Sequence, residues 1–119
     1  NGDIDTAEKA RWVLEYTGAY GIMVGRGAIG KPWIFHQMKE GSTEVESSLV
    51  KAVVLEHFDQ MIAHYGDYGA IVFRKHLHTY SKAGYQGASA FRDEINRIES
   101  VKEMRDRVSE FFSQSHLKL

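Results

Sequence analysis

The chain has 119 residues, no cysteine, and 15 basic against 16 acidic residues, which give a formal charge of -1. Without cysteine it can form no disulfide, no thiolate metal site and no cysteine nucleophile or acid. The near-neutral total excludes a uniformly basic nucleic-acid binder, although a local cationic patch remains possible. No stretch reaches the roughly 18 apolar residues of a membrane span. We therefore expect a soluble intracellular protein of ordinary globular composition, or a piece of one.

The first 40 residues alternate helix signals with one short apolar run. Asp5 or Thr6 can cap a helix that ends at Gly18. The run 20–24 is typical of a buried parallel strand and leads into a glycine loop. A short helix at about 32–39 follows. Because a parallel strand needs neighbours that this chain does not supply, the run is expected to be an unpaired strand, an edge with another copy, or a segment recruited into helix.

From residue 42 onward the apolar spacing is purely helical. Four amphipathic helices joined by short links are expected, and together they predict an all-α bundle. The first ends at Gly66, and Ser100 with Glu103 makes a capping box for the fourth. The expected ranges are about 47–65, 69–82, 88–98 and 101–113.

The glycine loop after the apolar run is the sharpest chemical signal in the first part of the chain. It reads Gly25, Arg26, Gly27. Glycines directly after a strand let backbone amides approach an anion, and Arg26 can add a charge-assisted contact. Such glycines also occur where only a tight turn is needed. Phosphate binding and a purely structural turn are therefore both possible.

A charge pattern marks the helical part, because residues 68–92 include no acidic side chain. Helical projection places Arg74, Lys75, His78 and Lys82 on one face, opposite the apolar side of their helix. A compact cationic stripe of this kind suits the phosphates of a nucleic acid. The alternative is a solvated face that happens to lack acids.

The six histidines do not form a metal-ligand pattern. His76 and His78 are two residues apart and point away from each other on a helix, and His57 and His64 lack a carboxylate to complete a ligand set. His57 and His76 lie on apolar helix faces. We therefore expect core histidines and no metal site.

Short motifs spread along the chain are shared with a known family. They lie at residues 1–4, 16–19, 23–28, 30–35, 65–66, 74–76, 80, 91–92, 96 and 98–99. Together they resemble the end of the bacterial tRNA-dihydrouridine synthases, most closely the B-type branch. The resemblance covers essentially the whole chain and implies a C-terminal fragment of such an enzyme.

Members of that family are flavoenzymes that reduce a uridine of tRNA to 5,6-dihydrouridine, with NADPH as reductant and FMN as cofactor. They combine an FMN-binding (β/α)8 TIM barrel with a C-terminal helical domain. The resemblance therefore implies a mainly α chain. Residues 1–41 would be a βα remnant at the end of the TIM barrel, and residues 42–119 a four-helix, tRNA-binding domain.

The resemblance also implies site residues in both parts. Two segments match those that hold the phosphate side of FMN in the family, and one helical motif matches the part that contacts tRNA. The cofactor segments are Asn1, Gly2 and Asp3 with Gly25 and Arg26; the RNA-binding residues are Arg74, Lys75 and His76, to which the projection adds His78 and Lys82.

The chain departs from the family in lacking its general acid, a cysteine. We expect that residue upstream of Asn1, so that this chain holds no catalytic residue, is inactive alone and binds FMN weakly or not at all. The expected partner is tRNA, and the expected location is the cytoplasm. The alternative function is a helical protein-interaction domain without an RNA role.

Overall fold

The computed structural model describes residues 3–41, 46–82 and 85–114, which are mainly helical and include no strand. The chain divides into two compact units, Asn1–Val45 and Glu46–Leu119. The α-helices of the described residues are α1 (Ala7–Thr17), α2 (Ile34–Glu40), α3 (Ser47–Tyr65), α4 (Gly69–Val72), α5 (Arg74–Tyr80), α6 (Ala88–Ile95) and α7 (Val101–Phe111).

Helix α1 organises the first unit. Of the two predicted caps, Thr6 is the one used, since its hydroxyl accepts a hydrogen bond from the backbone N–H of Lys9 at 3.0 Å. Gly18 ends the helix in the left-handed conformation at φ 67°, which glycine adopts without strain. Ala10 and Val13 on its inner face form a small buried core.

The predicted strand at 20–24 is not formed, and these residues have irregular backbone. Ile22 and Val24 are half-buried against the core under α1, whereas Tyr20 and Met23 are exposed. The alternation of a strand is therefore present without its hydrogen bonds. The physical reason is that a strand requires a neighbour, and the described residues provide none. The prediction of a mainly α chain is confirmed.

The second unit is a helical bundle built on α3, whose bounds are those predicted. Its buried face carries Val50, Val54 and Phe58. The single helix predicted at 69–82 is instead two helices, α4 and α5, with Phe73 between them. Helix α5 ends at Tyr80, so Lys82 lies in the turn that follows it. Helix α4 begins at Gly69. A Cβ at this position would lie 2.6 Å from the carbonyl oxygen of Met61, so the backbones of α3 and α4 pack closely there.

Aromatic rings fill the bundle at the contact of α6 and α7. Phe91 stacks on Phe111 with ring centroids 3.9 Å apart and planes 11° from parallel. Phe112 meets Phe91 edge-on at 5.9 Å, and the Arg107 guanidinium lies 5.4 Å from the Phe91 centroid. This packing holds α6 and the link that follows it against α7.

Two histidines pack between α3 and α5. His57 Nδ1 lies 2.9 Å from the Tyr80 hydroxyl, and the His57 and His76 rings are 4.7 Å apart. Burial is the main cause that lowers the pKa of both histidines. The nearby His76 lowers the pKa of His57 further, and Lys75 lowers that of His76. Both side chains therefore favour the neutral form in the folded chain.

These lowered pKa values predict that the bundle loses stability in mild acid. The unfolded chain, with histidine pKa values near 6.5, binds protons that the folded chain resists, so the free energy of unfolding falls as pH drops below about 6.5. Urea unfolding followed by helical circular dichroism at pH 7.5 and 5.5 measures this. The loss of stability between pH 7.5 and 5.5 should be smaller in His76→Gln, which removes one of the two packed rings. It should be unchanged in the control His64→Gln, which removes an exposed ring. A wild-type midpoint that is equal at both pH values would contradict the prediction.

Candidate functional site

The two predicted cofactor segments meet in the first unit through Asp3 and Arg26. Arg26 donates from Nε to Asp3 Oδ1 at 3.0 Å, and from Nη2 to Oδ1 and Oδ2 at 2.7 Å each. The side chains are 80% and 58% exposed. An exposed ion pair contributes only about 0–1 kcal/mol to stability. Its main effect is to fix the direction of the guanidinium.

The loop that carries Arg26 is pressed against the segment before α1. Residues Arg26–Ala28 form a 3-10 turn, and Gly27 is buried within it. A Cβ on Gly27 would overlap the carbonyl oxygen of Ile4, which no side chain tolerates. Lys31 Nζ donates to the carbonyl oxygen of Asp5. The two segments are thus held by backbone packing as well as by charge.

This arrangement has room and charge for an anion. Among the residues that the structure describes, Arg26 Nη1 makes no hydrogen bond, so part of the guanidinium stays available. A Cβ on Gly25 would meet nothing within 4 Å, which leaves the approach to that backbone open. Arg26 and the open backbone at Gly25 thus offer donors to an anion, whereas the Asp3 carboxylate orients the guanidinium and would itself repel one. Asn1 and Gly2, also predicted, lie outside the described residues.

The close approach at Gly27 makes a stability prediction. Gly27→Ala should force the loop away from Ile4 and destabilise the first unit by about 1–3 kcal/mol, the usual range for overpacking. Both tryptophans, Trp12 and Trp33, lie in this unit, so their fluorescence during urea unfolding is the measurement. Gly21→Ala is the matched control, because a Cβ there meets nothing within 4 Å. Equal midpoints for the two variants would refute the account.

The second unit shows two of the five predicted RNA-binding side chains exposed. Lys75 and Lys82 are exposed and make no ion pair within the described part of the chain. His78 Nε2 lies 2.9 Å from Asn96 Oδ1. His76 packs against His57 as described above. The predicted stripe is therefore divided between exposed cations and side chains that contact neighbouring elements.

Arg74 is partly enclosed. Its Nη2 donates to the carbonyl oxygen of Ile98 at 2.6 Å. Its Nε is buried and has no hydrogen-bond partner in the described residues. The guanidinium is thus directed into the turn between α6 and α7. Sequence reasoning placed Arg74 on the cationic face, but it did not identify this partner.

Residues 96–98 form a turn, although the sequence predicts them as the end of a helix and not as part of the site, because α6 ends at Ile95. Asn96 meets His78, Ile98 accepts from Arg74, and the exposed Arg97 lies between them. The available signal was weak: Asn96 belongs to a shared motif, and a cation follows it directly. Helical projection could not reveal the contact, because it compares residues of one helix only.

Two negative findings concern the described residues. No three histidine, cysteine, aspartate or glutamate side chains there are grouped so that they could hold a metal ion. In the same ranges, no helix combines the length and apolarity needed to cross a membrane.

Comparison with known proteins places the chain in a family. The sequence pattern described as dihydrouridine synthase (Dus) matches residues 1–116. The chain belongs to the dihydrouridine synthase family. The resemblance drawn from the motifs is thereby confirmed.

Individual dihydrouridine synthases are similar along almost the whole chain. A probable tRNA-dihydrouridine synthase of Helicobacter pylori is 48% identical over 118 residues, which cover 99% of this chain and 36% of the relative. The tRNA-dihydrouridine synthase B of Pseudomonas syringae is 45% identical over 96% of this chain, and that of Vibrio cholerae is 44% identical over 94%. The chain spans 36 to 37% of the length of these three relatives.

Proposed function

We propose that the chain is the C-terminal part of a flavin-dependent tRNA-dihydrouridine synthase. The full enzyme would reduce uridine in tRNA to 5,6-dihydrouridine with FMN as cofactor and NADPH as reductant, in the cytoplasm. The observation that carries the proposal is the family match over residues 1–116, supported by relatives named tRNA-dihydrouridine synthase. The first unit would belong to the FMN-binding barrel and the second would bind tRNA.

In this proposal the first unit contributes to the phosphate side of the FMN site. Arg26, oriented by Asp3, would donate to the phosphate, and the open backbone at Gly25 would let the anion approach. Asn1 and Gly2 would complete the set. When bound, the flavin supplies the hydride for the reduction. This chain contains no cysteine and so cannot provide the family's general acid.

The isolated chain should bind FMN weakly or not at all. Arg26 and its loop reach only the phosphate, whereas the affinity of a flavin depends on contacts along the whole cofactor. A fluorescence titration of FMN with the 119-residue chain tests this. A dissociation constant of about 1 µM or below would show that the flavin contacts lie within this chain.

In the second unit, the exposed cations of α5 and of the turn that follows it would contact tRNA phosphates. Lys75 on α5 and Lys82, two residues beyond the end of α5, are both exposed. No acidic residue occurs between residues 68 and 92 to repel a phosphate. For contacts of this kind, the logarithm of the binding constant falls linearly with the logarithm of the salt concentration.

The test is tRNA binding by the purified chain over a range of potassium chloride concentrations. We expect a dissociation constant that rises steeply with salt, with a slope corresponding to several phosphate contacts. Absent or salt-independent binding would refute the RNA role and favour the alternative, a helical protein-interaction domain.

A further inference from the structure

The face of α5 is tied to the α6–α7 turn by two side chains one helical turn apart. Arg74 reaches the carbonyl oxygen of Ile98 at 2.6 Å, and His78 reaches Asn96 at 2.9 Å. The backbone of the turn is closed by hydrogen bonds from Arg97 N to Glu94 O and from Ile98 N to Ile95 O; these are 3.0 and 3.3 Å long. The turn therefore has one defined position against α5.

A further contact holds the end of α5 to α6. Ser81, which is 1% exposed, accepts a hydrogen bond from Arg92 Nη1 at 3.2 Å and donates to the carbonyl oxygen of His78 at 3.1 Å. Buried polar contacts of this kind fix geometry, because breaking one leaves an unpaired buried group. The beginning and the end of α5 are thus both anchored to the α6 region.

Arg97 is the residue that this arrangement presents to solvent. It is exposed and makes no ion pair among the described residues. The exposed acids near it in sequence are Asp93, Glu94 and Glu99, and Glu94 is held by Arg107 at 2.9 and 3.1 Å. Arg97 follows directly on Asn96, which contacts His78. His78 lies one turn after Lys75 on α5, and Lys82 lies in the turn that follows α5.

Arg74 is poorly placed to contact a phosphate itself. Its Nε is buried, and one of its terminal nitrogens donates to a backbone carbonyl. A phosphate oxygen needs direct access to guanidinium N–H groups, which for Arg74 are partly enclosed. The side chain keeps its positive charge, but its N–H groups are partly buried or hydrogen-bonded within the protein.

We propose that Arg74 is a positioning residue that holds the turn at residues 96–98 against α5, so that Arg97 joins Lys75 and Lys82 in one phosphate-binding surface. This inference rests on the proposed function and assigns roles within it. Arg97 contacts RNA directly, whereas Arg74 acts through Arg97.

A double-mutant cycle on tRNA binding separates these roles. Arg97→Gln should weaken binding about five- to eightfold at about 0.1 M salt and reduce the salt slope by about 0.7–0.9, the effect of one lost phosphate contact. Arg74→Gln should weaken binding by a similar factor, and adding Arg97→Gln should cause little further loss. If Arg74 contacts phosphate independently, the two losses multiply instead. Lys102→Gln, an exposed lysine on α7, is the control and should leave affinity unchanged.

Chemical modification of arginine tests the same assignment without any variant. Phenylglyoxal followed by peptide mass spectrometry should modify Arg97 in the free chain, and tRNA should protect it. Arg74 should react slowly with or without tRNA. Rapid reaction of Arg74 that tRNA blocks would overturn the positioning role.

These outcomes distinguish the inference from the proposed function. If the wild-type chain shows no salt-dependent tRNA binding, the proposed function fails and the role of Arg97 fails with it. If the wild-type chain binds but Arg97→Gln binds equally well, only the inference fails.

Discussion

Replacing Lys75 and Lys82 together with glutamate is expected to weaken tRNA binding at least about 30-fold at about 0.1 M salt. Each cation that leaves a phosphate contact removes about 0.7–0.9 from the salt slope, so two lost contacts alone account for this factor. The introduced carboxylates add repulsion. Both side chains are exposed and free of ion pairs within the described ranges, so the fold should persist. Fluorescence anisotropy with labelled tRNA at several salt concentrations is the measurement.

The matched control changes the same net charge elsewhere on the bundle. Lys51 and Lys102 lie on α3 and α7, outside the acid-free segment; Lys51 donates to Ser113 at 2.8 Å and Lys102 to Asp106 at 3.2 Å. Their joint replacement by glutamate should cost much less affinity than the joint replacement of Lys75 and Lys82. Equal losses would mean that total charge, and not the α5 face, governs binding. Unchanged affinity in the Lys75, Lys82 variant would exclude that face altogether.

Helices determined by local signals could be predicted from the sequence. The bounds of α3 match the prediction because apolar residues repeat along one face and Gly66 ends the helix. The start of α7 follows from Ser100, whose hydroxyl accepts from the backbone N–H of Glu103 at 3.3 Å. In both cases the deciding contacts join residues within four positions of each other.

Features that depend on distant partners could not be predicted in the same way. The run 20–24 has the composition of a strand, but strand formation depends on a neighbour that the described residues do not include. The break at Phe73 lies where α4 packs closely on α3, at Gly69. Neither effect can be predicted from the residues of a single helix or strand, because each depends on a second element.

In the candidate site, too, local features could be predicted from the sequence and contacts between distant residues could not. The pairing of Arg26 with Asp3, 23 residues apart, follows from the fold and has no local signal. Projection identified the exposed Lys75, because exposure on a helix depends on the helix face. It also named Lys82, which is exposed in the turn after α5. It could not separate them from Arg74, whose partner Ile98 is 24 residues away on another element.

Phe73→Ala is expected to cause a large loss of stability in the second unit. The ring is fully buried between α4 and α5 and lies 4.8 Å from the His57 ring and 5.4 Å from the Phe58 ring. Removing a buried phenyl group typically costs about 3–5 kcal/mol, from lost burial and the cavity left behind. The whole free energy of unfolding of a small domain is only about 5–15 kcal/mol. The variant should therefore be marginally stable at best, which urea unfolding followed by helical circular dichroism would measure.

The consequence reaches the RNA surface, because Phe73 lies directly before the cationic helix α5. Loss of its packing should let α5 shift against α3, so tRNA affinity should fall in Phe73→Ala although no charge is removed. Leu49→Ala on α3 is the control for size, since Leu49 is 40% exposed and its truncation should cost less than about 1 kcal/mol. If Phe73→Ala cost no more than Leu49→Ala, the α4–α5 junction would not be the point that fixes α5. A variant that lost stability but kept full tRNA affinity would show that the phosphate contacts do not depend on how α5 is packed.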